Sequence, residues 1–262
     1  MTVDAAALLE SARSLQPRTV ALRRDLHRHP ELGNDLPRTQ GAVLDEIGDL
    51  GLEVRTGSSV TSVVATLDTG RPGGTVLLRG DMDALPMPED TDLDFASEVP
   101  GTMHACGHDA HTAMLTSAAR LLVDRSEDLS GKLVFMFQPG EEGHHGAKHM
   151  LDEGLLDGLH VTRAFAIHQS PSIPSGMVAT KPGPLMASAD EFVVEVVGRG
   201  GHAAMPHHAN DPVPVACEMV GAFQTMITRR VDVFDPAVVT VGAVRAGTTD
   251  NVIPETARLV GT

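Results

Sequence analysis

Tryptophan and tyrosine are absent from the 262 residues, and only two cysteines occur, Cys106 and Cys217. Thiols so far apart in sequence and in such unlike surroundings argue against a disulfide framework and for a reducing, cytoplasmic location. Basic residues are in deficit, 20 against 35 acidic, which leaves a net charge of −15. That balance argues against nucleic acid or an anionic membrane as partner, and simple solubility accounts for it. The N-terminus, Met-Thr-Val-Asp with Glu10 soon after, lacks the basic and apolar regions of a secretion signal. No apolar run approaches the roughly 18 residues that span a bilayer. What remains, 42% hydrophobic and 21% charged, is an ordinary globular composition, long enough for one large or two moderate domains with a substantial core.

Against these absences stand 13 histidines, three of them in the run His104-Ala-Cys106-Gly-His108-Asp-Ala-His111. Glu141-Glu142 and His168 follow, so metal-ligand side chains recur in a metal-site order. Cys106 and His108, two residues apart, do not share a helix face and suit a turn in which Gly107 bends the backbone toward an ion. Adjacent carboxylates face apart in a strand and are about 100° apart on a helix, so Glu141 and Glu142 can take different tasks. One can bind metal while the other moves protons, which is the division of labour in metal-assisted hydrolysis. Taken singly, Cys106 reads as core filler, His168 as a satisfied interior histidine and the glutamate pair as a solvated face. Their occurrence together, beside glycines or at the ends of apolar runs, favours the metal reading. His145 and His149 lie four apart, but no glutamate follows His145 as the H-E-x-x-H motif requires; with His144 they are read as lying outside the ligand set.

Apolar spacing predicts one or two opening helices broken at Pro17, and a helix over 41–50 ending at Gly51. Strands are predicted over 63–67 and 75–79, separated by a Gly/Pro turn at 70–74. The second of these runs into Asp81 and Asp83, placing carboxylates where open α/β sheets keep their sites. A helix over 109–124 and a strand over 132–137 follow, the latter delivering Glu141 and Glu142, and His168 reads as the end of a further strand. Four prolines and two glycines between 171 and 184 look like a linker into a second domain. Beyond it, strands over 191–197, 237–244 and 256–261 and a helix over 213–227 are expected.

Seven segments in order carry a resemblance: residues 24–33 (RDLHRHPELG), 78–86 (LRGDMDALP), 103–111 (MHACGHDAH), 137–142 (FQPGEE), 186–192 (MASADEF), 200–207 (GGHAAMPH) and 251–254 (NVIP). The chain resembles the metal-dependent amidohydrolases that include hippurate hydrolases, N-acyl-amino-acid amidohydrolases and indoleacetyl-amino-acid hydrolases, within the aminoacylase and carboxypeptidase superfamily. The resemblance implies an α/β fold. Residues 1–183 would form a zinc-peptidase-like catalytic domain, a mixed sheet flanked by helices, and residues 184–262 a smaller α+β lid and dimerisation domain. It implies two divalent ions bridged by Cys106, with His108, Glu142 and His168 as further ligands, and Glu141 as general acid/base. Asp83 would orient a ligand. Asp81 stands where relatives outside this branch carry a ligand histidine.

By the same resemblance, His202 would stabilise the oxyanion across a homodimer interface and Asn251 would hold the substrate carboxylate. The implied reaction is hydrolysis of the amide bond of an N-acyl amino acid or a similar small amide. A dipeptidase or carboxypeptidase is the alternative within the superfamily, and an inactive metal-binding or dimerisation fragment the alternative outside catalysis. The donor set suits zinc or manganese and also tolerates cobalt or nickel. The family pattern includes one more ligand histidine, not met before Gly261-Thr262, so the resemblance implies a longer parent chain that completes both domains.

Overall fold

The structure, a computed structural model, describes residues 4–262. It divides into two compact units, Met1–Ser175 and Gly176–Thr262, the division falling inside the proline-rich stretch at 171–184.

The first unit is built on a five-stranded mixed sheet of β1 (Glu53–Thr56), β2 (Val63–Asp68), β3 (Thr75–Asp81), β4 (Lys132–Gln138) and β5 (Val161–Ala166), in the order β1-β2-β4-β3-β5. β1, β2 and β4 pair antiparallel, while β4, β3 and β5 run parallel. β4 reads as a continuous apolar run because both of its faces are covered. Phe135 and Phe137 point to one face with Val63, Ala65, Met82 and Leu115, whereas Val134 and Met136 point to the other with Val64, Leu77 and Met150.

Helices α2 (Pro37–Ile47) and α3 (His108–Val123) cover the first face through Val43, Ile47, Leu115 and Ala119. Helix α4 (Gly146–Asp152) and the segment after it cover the second through Met150, Leu155 and Leu159. Phe135 and Phe137 are fully buried; truncating either to alanine costs about 3–5 kcal/mol in transfer and cavity terms.

Several sequence expectations shift. The opening segment is one helix, α1 (Ala5–Arg28), capped by the Asp4 carboxylate, which accepts from the Ala6 and Ala7 N–H groups, and it passes through Pro17 without ending. Pro17 and Arg13, whose carbonyl loses its intrahelical partner, both lie exposed, so water can take that hydrogen bond. Farther along, Leu22 and Leu26 pack on Ala113 of α3 and keep the helix continuous. α2 begins four residues earlier than expected because Pro37 occupies its first turn, where the missing N–H costs nothing. β5 ends at Ala166, two residues short of His168.

In the second unit β6 (Phe192–Val197), β8 (Val241–Ala246) and β10 (Thr256–Gly261) form an antiparallel sheet in the order β6-β10-β8. Helix α5 (Pro212–Arg230) packs on it through Ala216 against Ala257 and Leu259. β8 starts later than the expected 237 because the register shifts at Val260/Gly261, leaving Thr240 paired with Thr262 outside the regular ladder. A short ribbon joins β7 (Gly201–His202) to β9 (Val252–Ile253). Among the described residues, no helix is long and apolar enough to cross a membrane.

Candidate metal centre

The parallel strands β3, β4 and β5 all point their C-terminal ends the same way, and the side chains singled out by sequence gather beyond those ends. Asp81 closes β3 and Asp83 follows two residues later, while Glu141 and Glu142 lie beyond β4 and His168 beyond β5. Cys106 and His108 flank Gly107, whose φ of +87° puts it in the left-handed region where glycine carries no Cβ penalty. That turn sets His108 as the first residue of α3, with its ring fully buried.

Distances show how tightly the donors converge. Cys106 Sγ is 3.4 Å from His168 Nε2, and His108 Nε2 lies 3.5 Å from Asp81 and 3.9 Å from both Glu141 and Glu142. Three overlapping donor groups result: Cys106 with His108 and His168, His108 with Glu141 and Glu142, and Asp81 with His108 and His111. All four expected ligands and Glu141 therefore meet in one place. His144, His145 and His149 are exposed and belong to none of these groups.

His108 is prepared as a ligand. Its Nδ1–H donates to the Asp83 carbonyl at 2.8 Å, which leaves the lone pair on Nε2, and that buried atom has no hydrogen-bond partner. A buried nitrogen without a partner is costly unless something electrophilic meets it. His168 is arranged alike: Nδ1–H donates to the Gln169 carbonyl at 2.6 Å while Nε2 faces Cys106. Asp83 organises the glutamates, its two carboxylate oxygens accepting from the Glu141 and Glu142 N–H groups at 2.9 and 3.0 Å.

The electrostatics of the cluster favour a cation. Burial, reinforced by the Glu142 carboxylate, pushes the Cys106 thiol up to about 12. Burial and Glu142 likewise raise Glu141 above the usual carboxylate range. Burial opposes the charge on Asp83, yet the His108 hydrogen bond and the two backbone N–H groups outweigh it and hold this carboxyl low. A divalent cation would stabilise the thiolate, take the lone pair of His108 and offset the crowded carboxylates. The donor set of thiolate, imidazole and carboxylate fits such an ion.

Sequence reasoning passed over the supports of this cluster. Asp109, next to His108, accepts from Arg23 Nε at 2.7 Å and pairs with His27 Nδ1 at 2.8 Å, both from α1. His27 in turn reaches Glu89 through Nε2 at 3.2 Å. The Arg24–Gly33 motif thus begins inside an anchor for the first turn of α3. The signal available was Arg23 and His27 four apart on one helix face. His111, three residues after His108, is buried beside it with ring centroids 5.4 Å apart.

In the second unit, taken by itself, the β7–β9 ribbon brings His202 and Asn251 together. The Ala203 N–H donates to the Asn251 carbonyl at 3.1 Å, and His202 Nδ1 accepts from the Ala204 N–H at 3.0 Å. Both residues line a recess of about 520 Å³ that also includes Glu255.

An α/β unit with thiol, imidazole and carboxylate donors gathered beyond the ends of its parallel strands could hold a divalent ion. Residues 77–257 match the model of peptidase family M20/M25/M40, and the chain belongs to that family. It is 41% identical over 258 residues to thermostable carboxypeptidase 1 of Saccharolobus solfataricus, covering 97% of this chain and 65% of the relative. It is 40% identical over 249 residues to N-acetyl-L-cysteine deacetylase of Bacillus subtilis, covering 95% of this chain and 59% of that protein. Among solved structures it is similar to a dinuclear metal-binding peptidase of the M20 family from Bacillus subtilis, with a TM-score of 0.73, 36% identity, and coverage of 95% of this chain and 64% of the other. The chain therefore spans less than two thirds of the length of these relatives.

Proposed function

We propose that this chain carries the metal-binding and proton-transfer residues of an amidohydrolase acting on N-acyl amino acids. The observation that carries the reading is the convergence of Cys106, His108, His168, Glu141 and Glu142 in one cluster. The Bacillus subtilis relative named as an N-acetyl-L-cysteine deacetylase supports the substrate class. Cys106, His108, Glu142 and His168 would hold two divalent ions, zinc or manganese.

When bound, such ions acidify water and polarise a carbonyl. The chain's own residues do the rest. Glu141 takes the proton of the attacking water on a carboxylate oxygen and returns it to the leaving amine nitrogen. Its raised proton affinity suits that exchange, because a group that holds a proton only weakly is a poor base. Asp83 keeps the Glu141 and Glu142 backbone fixed, so neither carboxylate has to search for its position. His202 is assigned to the oxyanion and Asn251 to the substrate carboxylate, in a cytoplasmic homodimer formed through the second unit.

The carboxypeptidase name of the Saccharolobus solfataricus relative favours a second reading, cleavage of a C-terminal residue from a peptide. Metal-loaded natural protein assayed with N-acetyl-amino acids and with N-blocked dipeptides separates the two. Higher kcat/KM on N-acetyl-amino acids is expected. Cleavage of the dipeptides alone would transfer the assignment to the second reading, and failure on both panels would remove it.

A further inference from the structure

Among the described residues, His111 is a buried imidazole that packs against both His108 and His168 and that the proposed reaction does not use. It sits next to the cluster, and His108 and Asp81 share a donor group with it, so it could pass for another ligand. Its hydrogen bonds argue otherwise. His111 Nδ1 pairs with Asp81 Oδ1 at 2.6 Å, and His111 Nε2 accepts from the Gln169 N–H at 2.9 Å. A nitrogen that accepts an N–H bears no proton, so Nδ1 carries the ring proton and donates it to Asp81. Both ring nitrogens are then engaged and no lone pair is left for an ion, the reverse of His108, whose Nε2 is unpartnered.

The group that His111 holds is what matters. Gln169 donates its N–H to His111 and accepts through its carbonyl from His168 Nδ1 at 2.6 Å. The His168 ring also lies edge-on to the His111 ring, with centroids 4.7 Å apart at 70°. His168 needs such help, because β5 ends at Ala166 and residues 167 and 168 are exposed. The other end of the linkage is firmly held. Asp81 is buried, takes a second bond from Arg79 Nη1 at 2.6 Å, and its carbonyl accepts from Thr112 Oγ1 at 2.9 Å. The Arg79 guanidinium beside it favours the carboxylate form, which accepts the His111 N–H.

We infer that His111 is a positioning residue, which with Asp81 clamps the Gln169 backbone and thereby holds the His168 imidazole facing Cys106. The inference rests on the proposed metal site. An orienting partner of this kind is typically worth 10–100-fold in metal affinity. Asp81 then has a task of its own, as the anchor of a ligand-bearing turn.

The test uses the natural protein stripped and reloaded with cobalt(II). Affinity is read by competition with a chelator, and geometry from the thiolate-to-cobalt absorption. His111→Leu is expected to bind as many ions at saturation as the unaltered protein, about 10–100-fold more weakly, with a shifted thiolate band. His111→Gln, which keeps an acceptor for the Gln169 N–H, is expected to recover part of that loss, a rescue that a role in packing alone would not produce. Asp81→Asn serves beside it should the leucine variant not fold. Unchanged affinity and spectrum in His111→Leu would overturn the clamp, and so would loss of a whole equivalent at saturation in both His111 variants, which would make His111 a ligand. Unaltered binding in Cys106→Ala and His168→Ala, run in parallel, would instead remove the metal site on which the clamp depends.

Discussion

Replacing Glu141 by glutamine is expected to lower kcat about 10²–10⁴-fold and to leave the metal content of the protein as it was. The substitution keeps the shape of the side chain and removes its capacity to accept a proton. Its placement should survive, because the Glu141 N–H is held by the Asp83 carboxylate at 2.9 Å whatever the side chain carries. Burial and the neighbouring Glu142 raise the proton affinity of Glu141, a property that glutamine cannot share. Steady-state kinetics on an N-acetyl-amino acid, together with elemental analysis of the same preparation, decides the matter. Turnover close to that of the unaltered protein would take Glu141 out of the proton path, and loss of metal would recast it as a ligand.

Asp83→Ala should both destabilise the apo-protein's first unit and weaken its metal binding. It removes two hydrogen bonds that a buried carboxylate accepts from backbone N–H groups, at 2.9 and 3.0 Å. At about 1.5 kcal/mol or more for each charge-assisted bond, the loss is roughly 3 kcal/mol. The same change frees both glutamates to drift from His108, so metal affinity should fall by about 10–100-fold. Urea unfolding of metal-free protein should show a lower midpoint at unchanged slope. An unchanged midpoint would mean that the Glu141–Glu142 turn holds itself without Asp83.

The donor set was legible in sequence because its chemistry is local. Cysteine, glycine and histidine in Cys106-Gly107-His108 prescribe a tight turn, and an apolar run ending in Glu141-Glu142 prescribes a strand that delivers carboxylates. β2, β3 and β4 were legible for the same reason, since their alternating or continuous apolar patterns reflect the two covered faces of one sheet. β1 was not, because its four residues are almost wholly exposed and leave no alternation to read. α4 was missed because seven residues are too few to display a helical period. Pro17 misled, since a proline ends a helix only when packing farther along does not outweigh one lost hydrogen bond.

The supports of the site were the least legible. His111 and Gln169 lie 58 residues apart, and Arg23 and Asp109 lie 86 apart. No spacing rule links such pairs, and they meet only because parallel strands bring their C-terminal ends together and α1 packs on α3. His168 illustrates the same limit: its identity as a donor could be read, but its place in a turn beyond β5, held through a neighbour's backbone, could not.

The central claim is that Cys106, His108, Glu142 and His168 bind divalent metal, and the direct test is metal per chain. Freshly purified protein would be reconstituted with zinc and separately with manganese, and analysed beside Cys106→Ala. The account predicts close to two ions per chain in the unaltered protein and the loss of at least one in the variant. Equal metal content in the two proteins would contradict it and would return Cys106 to the role of a half-buried thiol beside a cluster of carboxylates.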